Sequence, residues 1–132
     1  MTSTIVPGLI DTAVLLAWTR GHPPASYFFL ALNRLFAPQI SRLSVIELLR
    51  ACQSDAERTL TLQFFAVSQT LELTGAIARQ AVDLLTTIAL PTQLTASDAI
   101  IASTAIEHSL PLYTVDPARF AVVPGLTTIQ PY

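Results

Sequence analysis

Residues 94–105 read Leu-Thr-Ala-Ser-Asp-Ala-Ile-Ile-Ala-Ser-Thr-Ala, and they are the most informative stretch of this sequence. Thr95 precedes Asp98 by three residues, which is the spacing of a capping box at the start of a helix. The pattern predicts a helix over 95–108. The face that carries Asp98 is otherwise apolar, so we expect it to point inward; its other members are Ile101, Ala102 and Ala105.

Short apolar stretches alternate with helical patterns along the rest of the chain. The predicted strands are 5–10, 39–41, 68–73, 112–115 and 126–129. The predicted helices are 12–18, 25–37, 44–51, one that opens at Ser54, 74–90 and 95–108. This alternation predicts an α/β domain with a mainly parallel sheet. The chain has 132 residues and shows no linker or internal repeat, so we expect a single domain over 1–132.

Composition excludes several classes of function. Hydrophobic residues make up 52% of the chain, so it can bury a core. All seven basic residues are arginines, which excludes a P-loop lysine and a Schiff base. Cys52 is the only cysteine, which excludes an intramolecular disulfide and a cysteine-only zinc site. The net charge of −2 offers no large basic surface for duplex nucleic acid.

The sequence also predicts a cytoplasmic protein without a membrane segment. The longest apolar runs, 13–18 and 27–32, are far shorter than a membrane span. Residues 1–4 contain no basic segment followed by an apolar one, so we expect no signal peptide.

Four carboxylates have apolar flanks and follow predicted strands or open predicted helices: Asp11, Glu47, Asp98 and Asp116. In a parallel sheet such positions gather along the carboxyl edge, where open α/β sheets bind ligands. Converging carboxylates repel one another, and a divalent cation is the usual remedy. Oxygen ligands suit Mg²⁺ or Mn²⁺ rather than zinc. Such a site can activate water and neutralise a phosphodiester, so the residues alone point to metal-dependent phosphodiester hydrolysis.

Helix capping is the alternative explanation for these acids. Asp11 would cap the helix that begins at Thr12, and Ser44 with Glu47 has capping-box spacing. Asp116 stands before a proline, the pattern of an N-cap followed by proline at the first helical position. Glu47 could also pair with Arg50 three residues later.

At these residues the sequence resembles the PIN-domain family, specifically the VapC-like toxins of prokaryotic toxin–antitoxin pairs. The resemblance covers nearly the whole chain, through residues 9–12, 44–48, 94–105, 110–120 and 124–126. It implies a three-layer α/β/α fold with a central, mostly parallel sheet. It also implies an endoribonuclease dependent on Mg²⁺ or Mn²⁺, acting as the toxin of a type II pair, a cognate antitoxin partner and a homodimer.

The resemblance assigns metal binding and catalysis to Asp11, Glu47, Asp98 and Asp116. It gives Thr114 a supporting role, orienting a carboxylate or a water molecule, and Thr12 a similar role beside Asp11. Two departures from the family concern the substrate path and the partner surface. Residues 50–52 are Arg-Ala-Cys where relatives often have a glycine, and the chain has no lysine.

Arginines and one apolar segment are candidates for binding RNA and protein. Four arginines near the acidic motifs could form a basic rim for RNA: Arg20, Arg42, Arg50 and Arg119. Alternatively they are solvated, or paired with Glu47, Asp55 or Glu57. Segment 27–36 is too apolar for a helix with one solvent-exposed face, so it is either a protein interface or buried on both faces. The resemblance implies that an antitoxin covers this segment and blocks the acidic site. The alternative to the nuclease is a non-catalytic PIN-like protein-interaction module.

Overall fold

The computed structural model describes residues 5–132, so the absence of a signal peptide predicted from residues 1–4 lies outside the described residues. The strands are β1 Leu9–Ile10, β2 Gln39–Ser41, β3 Gln69–Leu71, β4 Leu112–Tyr113 and β5 Thr128–Ile129. The helices are α1 Thr12–Thr19, α2 Pro23–Asn33, α3 Arg42–Ala51, α4 Asp55–Ala66, α5 Gly75–Thr87, α6 Ala96–Glu107 and α7 Pro117–Phe120.

The strands form one five-stranded sheet in the order β3-β2-β1-β4-β5. Every neighbouring pair is parallel, and the central strand β1 pairs Leu9 with both Gln39 and Leu112. Because successive side chains of a strand point to opposite faces, the two residues of β1 enter different cores. Leu9 packs with residues of α5 and α6, whereas Ile10 packs with residues of α1, α2, α3 and α4. The predicted α/β/α layering is therefore confirmed, and the sheet is entirely parallel.

Several predicted boundaries are wrong by a few residues. Helix α2 ends at Asn33 rather than at Ala37, and a turn follows in which the Leu35 and Phe36 amides donate to the Leu32 carbonyl. A residue before proline disfavours helical conformation, which keeps Ala37 out of the helix. Asp116-Pro117 also has the composition of a turn, but in the structure it opens the short helix α7, as the N-cap alternative predicts, with proline at a position where it costs no hydrogen bond.

Helix α5 shows how the amphipathic pattern produces the layer. Ile77, Ala81 and Leu84 recur at helical spacing and are buried against α6 and the sheet. The same spacing in the sequence predicts that Leu85 also faces inward, but Leu85 is more than one-third exposed. None of the helices described between residues 5 and 132 is both long enough and apolar enough to cross a membrane.

Candidate functional site

Asp11 lies where β1 passes into α1, at the carboxyl edge of the sheet. It occupies the N-cap position of α1, but its side chain makes no capping hydrogen bond, so the capping explanation for this carboxylate is wrong. Instead its Oδ2 accepts a hydrogen bond of 2.9 Å from the Thr114 hydroxyl. Asp11 is 4% exposed and Thr114 is fully buried. The buried carboxylate of Asp11 is thus stabilised by the hydroxyl of Thr114, which directly follows the neighbouring strand β4.

Burial raises the pKa of Asp11 above its ordinary value, because a carboxylate loses hydration there. The hydrogen bond from Thr114 and the charge of Arg119 oppose this rise in pKa, and the nearby Asp98 carboxylate adds to it. A buried acid whose pKa is raised by desolvation and by a like charge is typical of functional sites.

Asp98 satisfies the capping and the site explanations at once. The predicted capping box is present: the Asp98 amide donates to the Thr95 hydroxyl, and Asp98 Oδ2 accepts from the Thr95 amide at 2.9 Å. The same Oδ2 lies 3.4 Å from Arg119 Nε. The side chain is 9% exposed. Capping therefore fixes the carboxylate in place without removing it from the site.

Asp116 closes the site from the other side and is half-exposed. Its Oδ1 caps α7 by accepting from the Arg119 amide at 3.2 Å, as the N-cap alternative predicts. Its own amide donates to the Thr114 hydroxyl at 3.1 Å. The Thr114 hydroxyl therefore links the Asp11 carboxylate to the backbone of Asp116.

Glu47 reaches the site through hydroxyl groups. Helix α3 begins at Arg42 with Ser41 as its N-cap, so the predicted capping box of Ser44 and Glu47 is wrong. Glu47 Oε1 accepts a hydrogen bond of 2.9 Å from the hydroxyl of Thr12, the residue after Asp11. The predicted pair of Glu47 with Arg50 is absent from the ion pairs of residues 5–132.

Ser44 is a site residue that sequence reasoning missed. Its buried hydroxyl lies 2.8 Å from the Thr12 hydroxyl, which in turn bonds Glu47. The available signal was its position three residues before the glutamate, which places both side chains on one face of the helix. The same spacing also fits a capping box, which hides this signal in the sequence.

Arg119 lies among the carboxylates rather than on a rim around them. Its Nη2 is 3.6 Å from Asp11 Oδ2, and its Nε is 3.4 Å from Asp98 Oδ2 and 3.8 Å from Asp116 Oδ2. The Nε atom is buried and has no hydrogen-bond partner. We call the carboxylates of Asp11, Asp98 and Asp116 the acidic cluster, because the structure gathers them around this one guanidinium group.

The other candidate arginines make no ion pair with the acidic cluster within residues 5–132. Arg42 pairs with Glu72 through its Nε and Nη2 atoms, so its predicted pairing with Glu47, Asp55 or Glu57 is wrong. Arg20, at the end of α1, and Arg50, in the last turn of α3, are exposed. Neither takes part in the ion pairs found within residues 5–132.

The chemistry of the donor set suits a hard divalent cation. The acidic cluster and Glu47 offer only carboxylate oxygens, which Mg²⁺ and Mn²⁺ prefer. In the present arrangement, however, no three acidic, histidine or cysteine side chains of residues 5–132 are placed to share one ion. The carboxylate oxygens are of the type that the ion prefers. As they are now spaced around Arg119, they do not form a coordination shell for the ion.

An apolar groove lies away from these acids, between α1, α2 and α4. It has a volume of about 530 Å³, and its walls include Trp18, Leu60, Phe64 and Val67. Leu60 and Val67 are about two-thirds exposed. Next to it, α2 buries Phe28, Phe29 and Leu32 and exposes Tyr27 and Leu30. The prediction that segment 27–36 could be buried on both faces is therefore wrong.

Comparisons with known proteins agree with this architecture. A chain of a toxin–antitoxin complex from Klebsiella pneumoniae is 26% identical, with a TM-score of 0.77 over 95% of this chain and 98% of that chain. A chain of VapBC2 from Rickettsia felis, bound to a promoter DNA fragment, is 18% identical, with a TM-score of 0.79 over 94% and 98%. A chain of DNA-bound VapBC from Salmonella typhimurium is 18% identical, with a TM-score of 0.78 over 97% and 100%.

No curated protein sequence matches this chain significantly. The family model of the PIN domain matches residues 8–126, which include every acid of the site and the whole sheet except β5. The chain therefore belongs to the PIN domain family.

Proposed function

We propose that this protein is an Mg²⁺- or Mn²⁺-dependent endoribonuclease and the toxin of a VapBC-type toxin–antitoxin pair. The observation that carries the proposal is the acidic cluster, in which Asp11, Asp98 and Asp116 lie around the Arg119 guanidinium group at the carboxyl edge of a PIN-domain sheet. Burying an ionised carboxylate such as that of Asp11 is costly unless the charge is compensated, and a divalent cation would compensate it.

Each residue then has a role that follows from its contacts. Asp11 and Asp98 would hold the metal ion, with Asp116 and Glu47 completing the donor set. Thr114 orients Asp11 through its hydroxyl, and Thr12 orients Glu47 in the same way. When bound, a divalent ion supplies positive charge to a phosphodiester and acidifies water. No histidine or lysine makes a hydrogen bond or ion pair with the acidic cluster within residues 5–132, so the carboxylates themselves would accept the proton.

RNA binding would depend on few basic groups. Arg20 and Arg50 are exposed and free of ion pairs within residues 5–132, whereas Arg42 would have to leave Glu72 to bind a phosphate. Since each phosphate contact adds to the salt dependence of binding, we expect a shallow dependence for this protein.

An antitoxin is the partner that the apolar surface suits. The groove beside Trp18 and the exposed Tyr27 and Leu30 of α2 form neighbouring apolar surface, which is the kind of patch that proteins cover. The similar Klebsiella pneumoniae chain was solved in a toxin–antitoxin complex, which supports the same type of partner here. We further propose that the chain forms one domain, assembles as a homodimer and acts in the cytoplasm.

The test is cleavage of total prokaryotic RNA by the purified chain with Mg²⁺ or Mn²⁺, mapped by sequencing of new ends. Asp98→Asn is the decisive variant, because asparagine can still accept the capping hydrogen bond from Thr95 while removing the charge. Asp83→Asn, on the exposed face of α5, is the matched control. We expect discrete cuts with the native protein and the control, and none with Asp98→Asn or with EDTA.

The second candidate is a non-catalytic PIN-like interaction module. The observation in its favour is that no three potential ligands in the described part of the chain are placed to share a metal ion. This candidate predicts no cleavage and no metal binding by the folded native protein. It also predicts that Asp98→Asn changes stability slightly and function not at all.

A further inference from the structure

We propose that Arg119 is the built-in counter-cation of the acidic cluster, and that a divalent metal ion binds by displacing its guanidinium group. This inference rests on the proposed metal site. It makes Arg119 part of the metal-free site itself, rather than part of a basic rim around the site.

The first argument is charge. Three carboxylates meet here, and Asp11 is held in the interior. Arg119 is the only basic side chain within ion-pairing distance of them in the described part of the chain. Like charges at such separations destabilise one another unless a cation lies between them. The guanidinium group therefore occupies the electrostatic position that a metal ion would take.

The second argument is the looseness of these contacts. The three ion pairs of Arg119 measure 3.4–3.8 Å, and its Nε makes no hydrogen bond although it is buried. Arg42 provides the contrast, because its Nε donates to Glu72 at 3.1 Å. Arginine normally binds carboxylates through paired, well-directed hydrogen bonds. Arg119 is held by charge rather than by fitted hydrogen bonds, and a stronger cation can replace it.

The third argument is that the Arg119 side chain can move away from the carboxylates toward solvent. Its side chain is 26% exposed and extends from α7, a helix of four residues beside the half-exposed Asp116. The guanidinium carbon lies 5.2 Å from the centre of the Phe120 ring, so part of its environment does not involve the carboxylates. In the arrangement with Arg119 in place, no three acids of residues 5–132 are positioned to share an ion. Departure of the guanidinium group would free the carboxylate oxygens that now face it.

The test is calorimetric titration of the metal-free protein with Mg²⁺ and with Mn²⁺. Arg119→Gln removes the competing charge, and we expect it to bind the ion at least tenfold more tightly, equivalent to about 1.4 kcal/mol. Arg119→Lys keeps the charge and should bind close to the native affinity. Arg58→Gln is the matched control, because Arg58 pairs with an exposed aspartate three residues away, as Arg119 does with Asp116, and its affinity should not change.

A second measurement observes the displacement directly. In a ¹⁵N NMR spectrum, the Nε–H signal of Arg119 is identified by its loss in Arg119→Gln. We expect this signal to shift on addition of Mg²⁺ and to return with EDTA, whereas the Arg58 signal stays in place. If Arg119→Gln does not fold, Arg119→Lys supplies the assignment, and the native titration decides the question alone.

The outcomes separate this inference from the proposed function. Equal metal affinities of the native protein and Arg119→Gln, with an unmoved Arg119 signal, would overturn the displacement and leave the metal site standing. Absence of metal binding in every folded variant would overturn both. Tighter binding by Arg119→Gln together with a shifted native signal supports the inference.

Discussion

Replacing Thr114 by valine tests whether its hydroxyl stabilises a buried, ionised carboxylate. Valine has nearly the same shape, so the substitution opens no cavity. It removes the 2.9 Å hydrogen bond to the Asp11 carboxylate, and also the 3.1 Å bond that the hydroxyl accepts from the Asp116 amide. A hydrogen bond to a charged group contributes about 1.5–3 kcal/mol. With a urea slope of about 1–3 kcal/mol per molar, the unfolding midpoint should fall by about 1 M. The measurement is urea unfolding of the metal-free protein at pH 8, followed by circular dichroism.

Thr104→Val is the matched control, because Thr104 is equally buried and its hydroxyl donates only to the Ile100 carbonyl of its own helix. A hydrogen bond between neutral groups contributes about 0.5–1.5 kcal/mol, so the control should lose less stability. A loss for Thr114→Val equal to or smaller than that of Thr104→Val would refute the reasoning.

The pH dependence of the Thr114→Val effect is a further check. The Thr114 hydrogen bond lowers the pKa of Asp11 relative to the value that burial alone would impose. Its extra contribution is therefore present while Asp11 is ionised and is lost as pH falls through the folded pKa of Asp11. The difference between native and variant stability should shrink on acidification. It should also shrink at pH 8 in an Asp11→Asn background.

Three further predictions follow from single contacts. Burial raises the pKa of Asp11 in the folded state above 3.8, so ionisation of Asp11 lowers the stability of the native protein as pH rises. The unfolding free energy of Asp11→Asn, measured relative to that of the native protein, should therefore increase between pH 4 and pH 8. A difference that does not change with pH in urea titrations would contradict this. Gly8→Ala places a Cβ 2.7 Å from Cε2 of Tyr113, so we expect a loss of about 1–3 kcal/mol in urea unfolding; native stability would mean that the ring moves freely. Ser44→Ala removes the 2.8 Å contact with the Thr12 hydroxyl and should cost about 0.5–1.5 kcal/mol, measured by thermal unfolding against the native protein.

The sequence predicts the frame of the fold because that frame depends on local patterns. The alternation of short strands with helices is enough to indicate a parallel sheet, and a parallel sheet fixes which edge Asp11 and Asp116 share. Strand and helix ends are less predictable. Ser41 and Ser44 are both suitable caps by residue type, and only the packing of α3 decides that Ser41 begins the helix.

The interior of the site is less accessible from sequence, because it depends on contacts between distant residues. Arg119 follows Asp116 by three residues, which suggests an exposed partner for that acid. Its approach to Asp11 requires that β1 and β4 pair and that α7 turn its side chain inward. Asp98 shows a different limit: capping and site placement were treated as alternatives, whereas one carboxylate does both.

The central position of β1 has a consequence for biosynthesis. Its strand partner β4 and the residues that complete the acidic cluster, up to Arg119, are made only after residues 12–111. A nascent chain still lacking residues 112–120 has no neighbour for one side of β1 and no Thr114 to hold Asp11. The acids can therefore converge only after residues 112–120 have left the ribosome. A nascent chain that ends before residue 112 would lack the assembled cluster, and any activity that needs the cluster would be missing from it.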